Sequence, residues 1–248
     1  MEIVPLRDIP IITPGMDIAK TVHDALVNNN IRLQDGDILV IAHKIVSRAT
    51  NRIIRLSDVK PTWRAVKIAR RMGEDPRKIQ VILDESNKVI RSTPKHLITE
   101  NKLGFVCANA GVDRSNSYYN ESLALPPQDP DKVCEEVRNY LALKFQAKIG
   151  VIISDTHGRA LRNGAVGVCL GVAGIPAVIS YKGRKDIFGY KLKATNIAIA
   201  DELASAAELV MGESDEGIPV TLIRGLKIPE GEGSHRDLIY TAEERMFY

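Results

Sequence analysis

The chain of 248 residues is 44% hydrophobic and 26% charged, which is ordinary for a globular protein of one large domain or two small ones. Its formal net charge of +3 comes without a basic cluster, so we expect no nucleic-acid partner. The three cysteines are far apart and form neither a CxxC pair nor a zinc pattern, which favours a reducing, cytoplasmic compartment.

The pattern of apolar residues predicts helices and strands in mixed order. Prolines interrupt residues 5–14 and favour an extended segment there. We predict helices at 16–28, at 62–72 with Trp63, Val66 and Ala69 facing the core, from an Asp131 cap to about 147, and at 196–211. Strands are predicted at 38–42, 79–83, 88–91, 105–108, 149–153 and 218–224. Because strands and helices do not strictly alternate, we expect an α+β fold with a mixed sheet. We also expect a single unit over residues 1–248, with two subdomains as an open alternative and no separable linker.

Residues 164–181 carry no charge and reach the lower length limit of a membrane-spanning helix. The same segment holds four glycines and Pro176, and it follows directly after Arg159 and Arg162. We therefore expect a buried glycine-rich turn and helix in a protein without a membrane partner.

Two predicted strands lead into similar sets of polar residues. One is followed closely by Asp155 and Thr156, and the other leads to Asp113 and Asn116. Open α/β sheets usually bind ligands at strand ends, and Mg²⁺ and Mn²⁺ prefer oxygen ligands. With Glu213 as a third carboxylate, these residues predict a divalent-cation site. The alternative, that the carboxylates cap turns or pair with arginine, stays equally open at this point.

Four cations, Lys44, Arg48, Arg159 and Arg162, could neutralise a polyphosphate, and solvated surface charge is the simpler interpretation from residue type alone. Beside Asp155, the two later arginines are candidate catalytic residues because arginine pairs well with phosphate. No GxxxxGK[ST] or GxGxxG motif occurs, so neither a Walker loop nor a Rossmann loop is predicted. The segment SDTHG resembles the opening of calcineurin-like metallophosphoesterases, and without a GNH[DE] motif that function is the weaker alternative.

Several longer motifs, taken together and in order, resemble the coenzyme F420-0:γ-glutamyl ligase family. The resemblance extends from about Pro5 to Gly233, and its motifs read IPII, IAHKIVSR, FVCANAGVDRSN, LPPQDPD, GVIISDTHGRALRNGAVGVCLGVAG, GRKDIFGYKL and ADELASAAELVMGESDEGIPVTLIRG. The resemblance implies GTP-dependent ligation of L-glutamate to F420-0 through an acyl phosphate, with release of GDP and phosphate, followed by a second, γ-linked glutamate. It also implies Mg²⁺ or Mn²⁺, K⁺ as a stimulating ion, a family-specific α+β fold and an intertwined homodimer.

The resemblance assigns roles to particular residues of this chain. The metal ligands would be Asp113, Asp155, Thr156 and Glu213. Nucleotide contacts would come from Ile9, Pro10, Ile11, Ile12, His43, Lys44, Arg48, Asn116, Met211, Gly212, Glu213, Ser214, Asp215, Glu216, Gly217 and Ile218.

The chain departs from the family pattern at a few positions near this predicted site. Thr50 and Asn51 replace a Glu-Gly pair, Arg48 replaces the commoner lysine, and His157 stands where small or amide residues are common. None of these departures removes a predicted metal ligand. A nucleotide-binding protein that has lost ligation is the non-enzymatic alternative.

Overall fold

The computed structural model describes residues 1–117 and 121–246. The α-helices are α1 (Ile18–Asn28), α2 (His43–Ala49), α3 (Trp63–Met72), α4 (Pro76–Asp84), α5 (Pro130–Phe145) and α6 (Ile199–Met211). The strands are β1 (Glu2–Pro5), β2 (Ile38–Ala42), β3 (Ile53–Arg55), β4 (Ser86–Ser92), β5 (Leu97–Asn101), β6 (Val106–Ala108), β7 (Ser122–Ala124), β8 (Gly150–Arg159), β9 (Arg162–Ala173), β10 (Ile179–Ser180), β11 (Asn196–Ile197) and β12 (Val220–Arg224). Short 3₁₀ segments lie at Leu56–Asp58, Asn109–Gly111 and His235–Leu238.

A five-stranded mixed sheet with the order β1-β12-β2-β8-β9 forms the centre of the protein. Its β2 and β8 are parallel, in register from Ile38 opposite Gly150 to Ala42 opposite Ser154, and the other neighbours are antiparallel. The α+β class and the mixed sheet are therefore confirmed.

The central sheet is covered on both faces, which explains why β2 is a continuous apolar run. Ile38 and Val40 pack in one cluster with α6, whereas Leu39 and Ile41 pack in another with α1 and α5. Strand side chains alternate between faces, so a strand between two helical layers needs apolar residues at every position.

A third core cluster lies between β2 and β8 in the sequence. It contains buried side chains from α3, α4, β5 and β7, among them Ala69, Ile82, Leu97 and Leu123. The sheet β4-β5-β6 and the β3-β7 pair belong to this part of the chain. The division into two subdomains stays a prediction.

The strand predicted at 79–83 is wrong, because these residues lie in α4. The Asp75 side chain accepts a hydrogen bond from the Arg77 backbone N–H, and Pro76 occupies the first helical turn. Both features start a helix. Five apolar-rich residues are too few for their periodicity to separate a strand from a buried helix.

The turn and helix predicted within 164–181 are also wrong, since residues 162–173 form β9. This strand makes a long hairpin with β8, which continues well beyond its predicted end at Ile153. The glycines of β9 permit close approach of helices: a Cβ on Gly171 would lie 2.5 Å from the Pro130 carbonyl carbon of α5. Among the described residues, no helix is long and apolar enough to cross a membrane.

Two smaller predictions about helices fail as well. In α3, Trp63 and Val66 face solvent, and the buried face is formed by Ala65 and Ala69. Helix α5 is capped by Asp129 rather than Asp131, because a proline occupies the first position of the helix and shifts its start. The freed Asp131 carboxylate binds the C-terminal segment instead.

Candidate active site

A cavity of about 810 Å³ opens at the carboxyl ends of the parallel strands β2 and β8. The register of these strands places the residues after Ala42 beside the residues after Ser154. Other parts of the lining come from the N-terminal segment, the loop after β6, and the end of α6. The lining residues are Ile9, Pro10, Ile11, Ala42, His43, Lys44, Ile45, Arg48, Asp113, Asn116, Ser154, Asp155, Thr156, Ala165, Gly167, Ala204, Glu208, Met211, Gly212, Glu213, Ser214, Asp215, Glu216, Gly217, Ile218 and Pro219.

Asp155 is the most deeply placed carboxylate of the cavity and lies between two imidazoles. Its Oδ2 is 3.1 Å from Nε2 of His157, and its Oδ1 is 3.2 Å from Nε2 of His43. The His43 nitrogen lies close to the carboxylate without hydrogen-bond alignment, whereas the His157 contact is a hydrogen bond. Burial alone would raise the pKa of Asp155, but the two imidazoles outweigh it and hold the pKa below its ordinary value. Asp155 is therefore an anion at neutral pH.

Asp113 is held by the ammonium of Lys44 from α2 and by the hydroxyl of Ser115 from its own loop. Nζ of Lys44 lies 2.6 Å from Asp113 Oδ2 and donates to Oγ of Ser115 at 2.6 Å. Ser115 in turn donates to Asp113 through both its hydroxyl and its backbone N–H. Burial favours a higher pKa for Asp113, and these donors overcome it, so the pKa is lowered.

The end of α6 contributes a second acidic group. Thr156 donates its hydroxyl hydrogen to Oε1 of Glu213, which joins β8 to the turn after α6. Glu208, one turn earlier on the helix, lines the same cavity. Burial raises the pKa of Glu208, and the nearby Glu213 carboxylate raises it further.

The acidic turn after α6 is tied to the opposite wall through Asn116. The Asn116 side chain donates to the carbonyl of Ser214 at 3.3 Å, and Arg48 donates to the carbonyl of Asn116. Within the turn, the Ser214 N–H donates to the Glu216 carboxylate at 2.8 Å. Gly212 has a φ of 68°, a left-handed conformation that glycine adopts without strain. One wall of the cavity thus presents cations and the other presents carboxylates and backbone groups.

Comparisons with known proteins identify the family of this chain. A family model described as F420-0:Gamma-glutamyl ligase matches residues 7–225. The chain belongs to this family. It is 47% identical to coenzyme F420:L-glutamate ligase of Methanocaldococcus jannaschii over 215 residues, which cover 87% of this chain and 86% of the relative.

Two further relatives extend the F420-0:γ-glutamyl ligase match to nearly the whole chain. The Methanococcus maripaludis C6 coenzyme F420:L-glutamate ligase is 41% identical over 247 residues, covering 100% of this chain and 97% of the relative. The protein of the same name from Archaeoglobus fulgidus is 41% identical over 244 residues, covering 98% and 94%. Membership in this ligase family replaces the metallophosphoesterase alternative.

The four oxygen ligands expected for a family ligase fit a divalent cation in chemical type. All are oxygen donors, and Asp113 and Asp155 are anions at neutral pH. In the described part of the chain, no three His, Cys, Asp or Glu side chains are already gathered as a metal-binding group. Instead, Asp113 is paired with Lys44 and Glu213 accepts from Thr156. A cation bound at Asp113 would therefore compete with the Lys44 ammonium for the same carboxylate.

All but one of the residues assigned by resemblance to this family line the cavity, and the two arginines predicted from residue type as catalytic do not. Ile12 is fully buried in the core beneath the N-terminal segment. Arg159 and Arg162 lie opposite each other at the tip of the β8–β9 hairpin. There, Arg159 donates to the backbone carbonyls of Asn163 and Gly164.

The sequence analysis missed other residues of the site. Glu208 shares a helical face with Ala204 and Met211, at spacings of four and three residues, so helical periodicity could have identified it. Gly167 lies in the segment that was predicted as a turn and helix; in β9 it permits close approach of α6, because a Cβ there would lie 2.6 Å from the Ala204 carbonyl oxygen.

Proposed function

We propose that this ligase joins L-glutamate to coenzyme F420-0 in coenzyme F420 biosynthesis, using GTP and releasing GDP and phosphate, and then adds a second, γ-linked glutamate. Family membership and curated relatives named coenzyme F420:L-glutamate ligase, aligned over nearly the full chain, support the ligase activity. The use of GTP and metal draws its support from the cavity, where cations, carboxylates and backbone donors converge.

The proposed route has two displacements. An oxygen of the F420-0 carboxylate attacks the γ-phosphorus of GTP, the bond to the bridging oxygen breaks, and GDP leaves with that electron pair. The amine of L-glutamate then attacks the acyl carbon, loses a proton and expels phosphate, leaving an amide. Such a route needs alignment and charge neutralisation more than proton transfer by the protein.

Two cations of the cavity support the assignment of a phosphate-binding side. Lys44 and Arg48 lie on α2, which begins where β2 ends, and both side chains line the cavity at the carboxyl ends of the parallel strands. Asn116 and the turn after α6 provide amide and backbone groups opposite them. We assign the nucleotide to this space, with its phosphates toward Lys44 and Arg48.

The carboxylates are assigned to a divalent cation. Asp113, Asp155, Thr156 and Glu213 would hold Mg²⁺ or Mn²⁺, which when bound neutralises phosphate charge and orients the transferred phosphoryl group. When the Lys44–Asp113 ion pair opens, the Lys44 ammonium becomes available to a phosphate group and the Asp113 carboxylate oxygen becomes available to the metal. The stimulating role of K⁺, the homodimer and the cytoplasmic location remain part of the proposal.

A catalytic role for Arg159 and Arg162 also remains a prediction. Both lie at the tip of the β8–β9 hairpin, which also carries Asp155. To meet a phosphoryl group in the cavity of the same chain, the hairpin tip would have to bend toward it, releasing the carbonyls that Arg159 now contacts.

Product analysis tests the proposed function directly. The protein is incubated with F420-0, L-glutamate, GTP, Mn²⁺ and K⁺, and the deazaflavin products are measured by mass spectrometry. We expect a mass gain of one or two glutamyl units that requires GTP. Asp155→Asn, checked for folding by circular dichroism, should give no product because it removes the buried anion. GTP binding by the wild-type protein without glutamyl transfer or GDP release would instead support a nucleotide-binding protein that has lost ligation.

A further inference from the structure

His157 contacts the central carboxylate of the site from outside the cavity. Its Nε2 is 3.1 Å from Oδ2 of Asp155, and His157 is not among the described residues that line the cavity. An ionised carboxylate can only accept hydrogen bonds, so Nε2 must carry the hydrogen and donate it. His157 therefore acts on Asp155 and does not face the reactants.

The His157 ring is itself held in place by aromatic packing. Phe105 meets it edge-on, with ring centroids 6.4 Å apart and an interplanar angle of 79°. On its other side, Phe105 packs against His235 at 5.9 Å, and His235 Nδ1 lies 2.7 Å from the Asp131 carboxylate of α5. A row of side chains thus connects the helical layer to Asp155. The side chain of His157 is only 16% exposed, which limits the orientations that its ring can take.

We propose that His157 is a positioning residue for cation binding: its hydrogen bond fixes the plane of the Asp155 carboxylate so that the free lone pairs face the cavity. This inference rests on the proposed assignment of Asp155 as a metal ligand. Each carboxylate oxygen has two lone pairs, so one hydrogen bond at Oδ2 leaves oxygen sites for a cation. Groups that orient a metal ligand from behind typically change metal affinity by about 10- to 100-fold when removed.

His43 does not duplicate this function. Its Nε2 approaches Oδ1 at 3.2 Å without hydrogen-bond alignment, and its other nitrogen lies 3.4 Å from the Ser47 hydroxyl. His43 therefore supplies a contact to Asp155 without fixing the direction of a lone pair. The Asp155 Oδ1 atom also accepts a hydrogen bond from the Thr156 backbone N–H at 2.8 Å. Among the described residues, the side-chain hydrogen bond that fixes the other oxygen, Oδ2, comes from His157.

The test is direct Mn²⁺ binding to the nucleotide-free protein, measured by electron paramagnetic resonance of unbound Mn²⁺. The variants are His157→Leu, which removes the donor, His157→Gln, which can still donate, and Asp155→Asn. We expect about tenfold or greater weakening with leucine, about threefold or less with glutamine, and loss of binding with Asp155→Asn. If His157→Leu fails to fold by circular dichroism, His157→Asn replaces it, because its shorter amide falls short of Oδ2.

Activity gives a second measurement. In the leucine variant, or in its asparagine substitute, we expect the Mn²⁺ concentration for half-maximal activity to rise at least tenfold while kcat at saturating Mn²⁺ stays within about threefold. A purely structural role would not be rescued by added metal.

Two patterns of results would overturn the inference in different ways. If Asp155→Asn loses Mn²⁺ binding but the His157 variants bind like the wild type, or if glutamine is as harmful as leucine, only the role of His157 is refuted. If Asp155→Asn binds Mn²⁺ as well as the wild type, the assignment of Asp155 as a metal ligand fails, and the role of His157 fails with it.

Discussion

Lys44 forms an ion pair with Asp113. We expect this lysine to compete with a metal ion for the Asp113 carboxylate and, once released, to bind the nucleotide phosphates. Its Nζ lies 2.6 Å from Oδ2 of Asp113, one of the proposed metal ligands. In Lys44→Met the carboxylate loses its competing cation, whereas the phosphates of GTP lose a donor. We therefore expect the affinity for Mn²⁺ to rise and the affinity for GTP to fall in the same variant.

The exposure of the Lys44–Asp113 pair determines how much the Mn²⁺ affinity should rise in Lys44→Met. The side chains are 19% and 43% exposed, and pairs in this range contribute about 0.2–1 kcal/mol. Removing Lys44 should thus tighten Mn²⁺ binding by at most about fivefold, given that 1.4 kcal/mol is about tenfold. A hydrogen bond to a charged group is worth about 1.5–3 kcal/mol, so GTP affinity should fall about tenfold to a hundredfold.

Both affinities can be measured on the same preparation at one ionic strength. Mn²⁺ binding without nucleotide is followed by electron paramagnetic resonance, and GTP binding by isothermal titration calorimetry. Lys102→Met is the matched control, because it removes the same charge from an ion pair with Glu85, away from the cavity. Weaker Mn²⁺ binding in Lys44→Met, or unchanged GTP binding, would refute the exchange of partners.

Three further predictions concern other parts of the fold. Gly171→Ala should lower the free energy of unfolding by about 1–3 kcal/mol in urea denaturation, because its Cβ would overlap the backbone of α5, whereas Gly158→Ala, which meets open space, should change it by less than about 0.5 kcal/mol. Asp131 has a lowered pKa because hydrogen bonds, chiefly from His235, outweigh the opposing effect of burial. Its contribution is present above the ordinary carboxyl pKa of about 3.9 and is lost as pH falls, so the stability deficit of Asp131→Asn should shrink in urea titrations below about pH 4. Arg159→Ala should leave the Kd for GTP within about twofold, because the Arg159 side chain contacts carbonyls of its own hairpin and does not line the cavity. If Arg159 is catalytic, the variant should instead show a lower kcat with the same Kd for GTP.

Sequence patterns predicted the elements whose apolar spacing is unambiguous. The run over β2 has the length and β-branched content of a strand covered on both faces, and α1 has an apolar face at helical spacing. The patterns failed where backbone contacts decide the structure. In β9, glycines that suggested a turn and helix are the positions where α5 and α6 approach the strand, as at Gly171 and Gly167.

The candidate site was predictable as a set of residue types and not as a set of contacts. Asp113 and Asp155 stood out because each follows an apolar run, and both lie at the cavity. Their partners could not be read from the sequence. Lys44 is 69 positions from Asp113, and the ring that packs against His157 comes from Phe105, which directly precedes β6 of a different sheet. Such pairings depend on how distant elements pack, which local periodicity does not encode.

The packing at Gly167 connects the fold to the chemistry of the site. Because β9 has no side chain at this position, the backbone of α6 can approach until a Cβ would lie 2.6 Å from the Ala204 carbonyl oxygen. This close approach brings the turn after α6 next to Thr156 of β8, which is the residue paired with Gly167. There, Glu213 accepts a hydrogen bond from Thr156. A larger residue at position 167 would push α6 outward and separate Glu213 from the carboxylate of Asp155. The position of Glu213 relative to Asp155 thus depends on a backbone contact between β9 and α6.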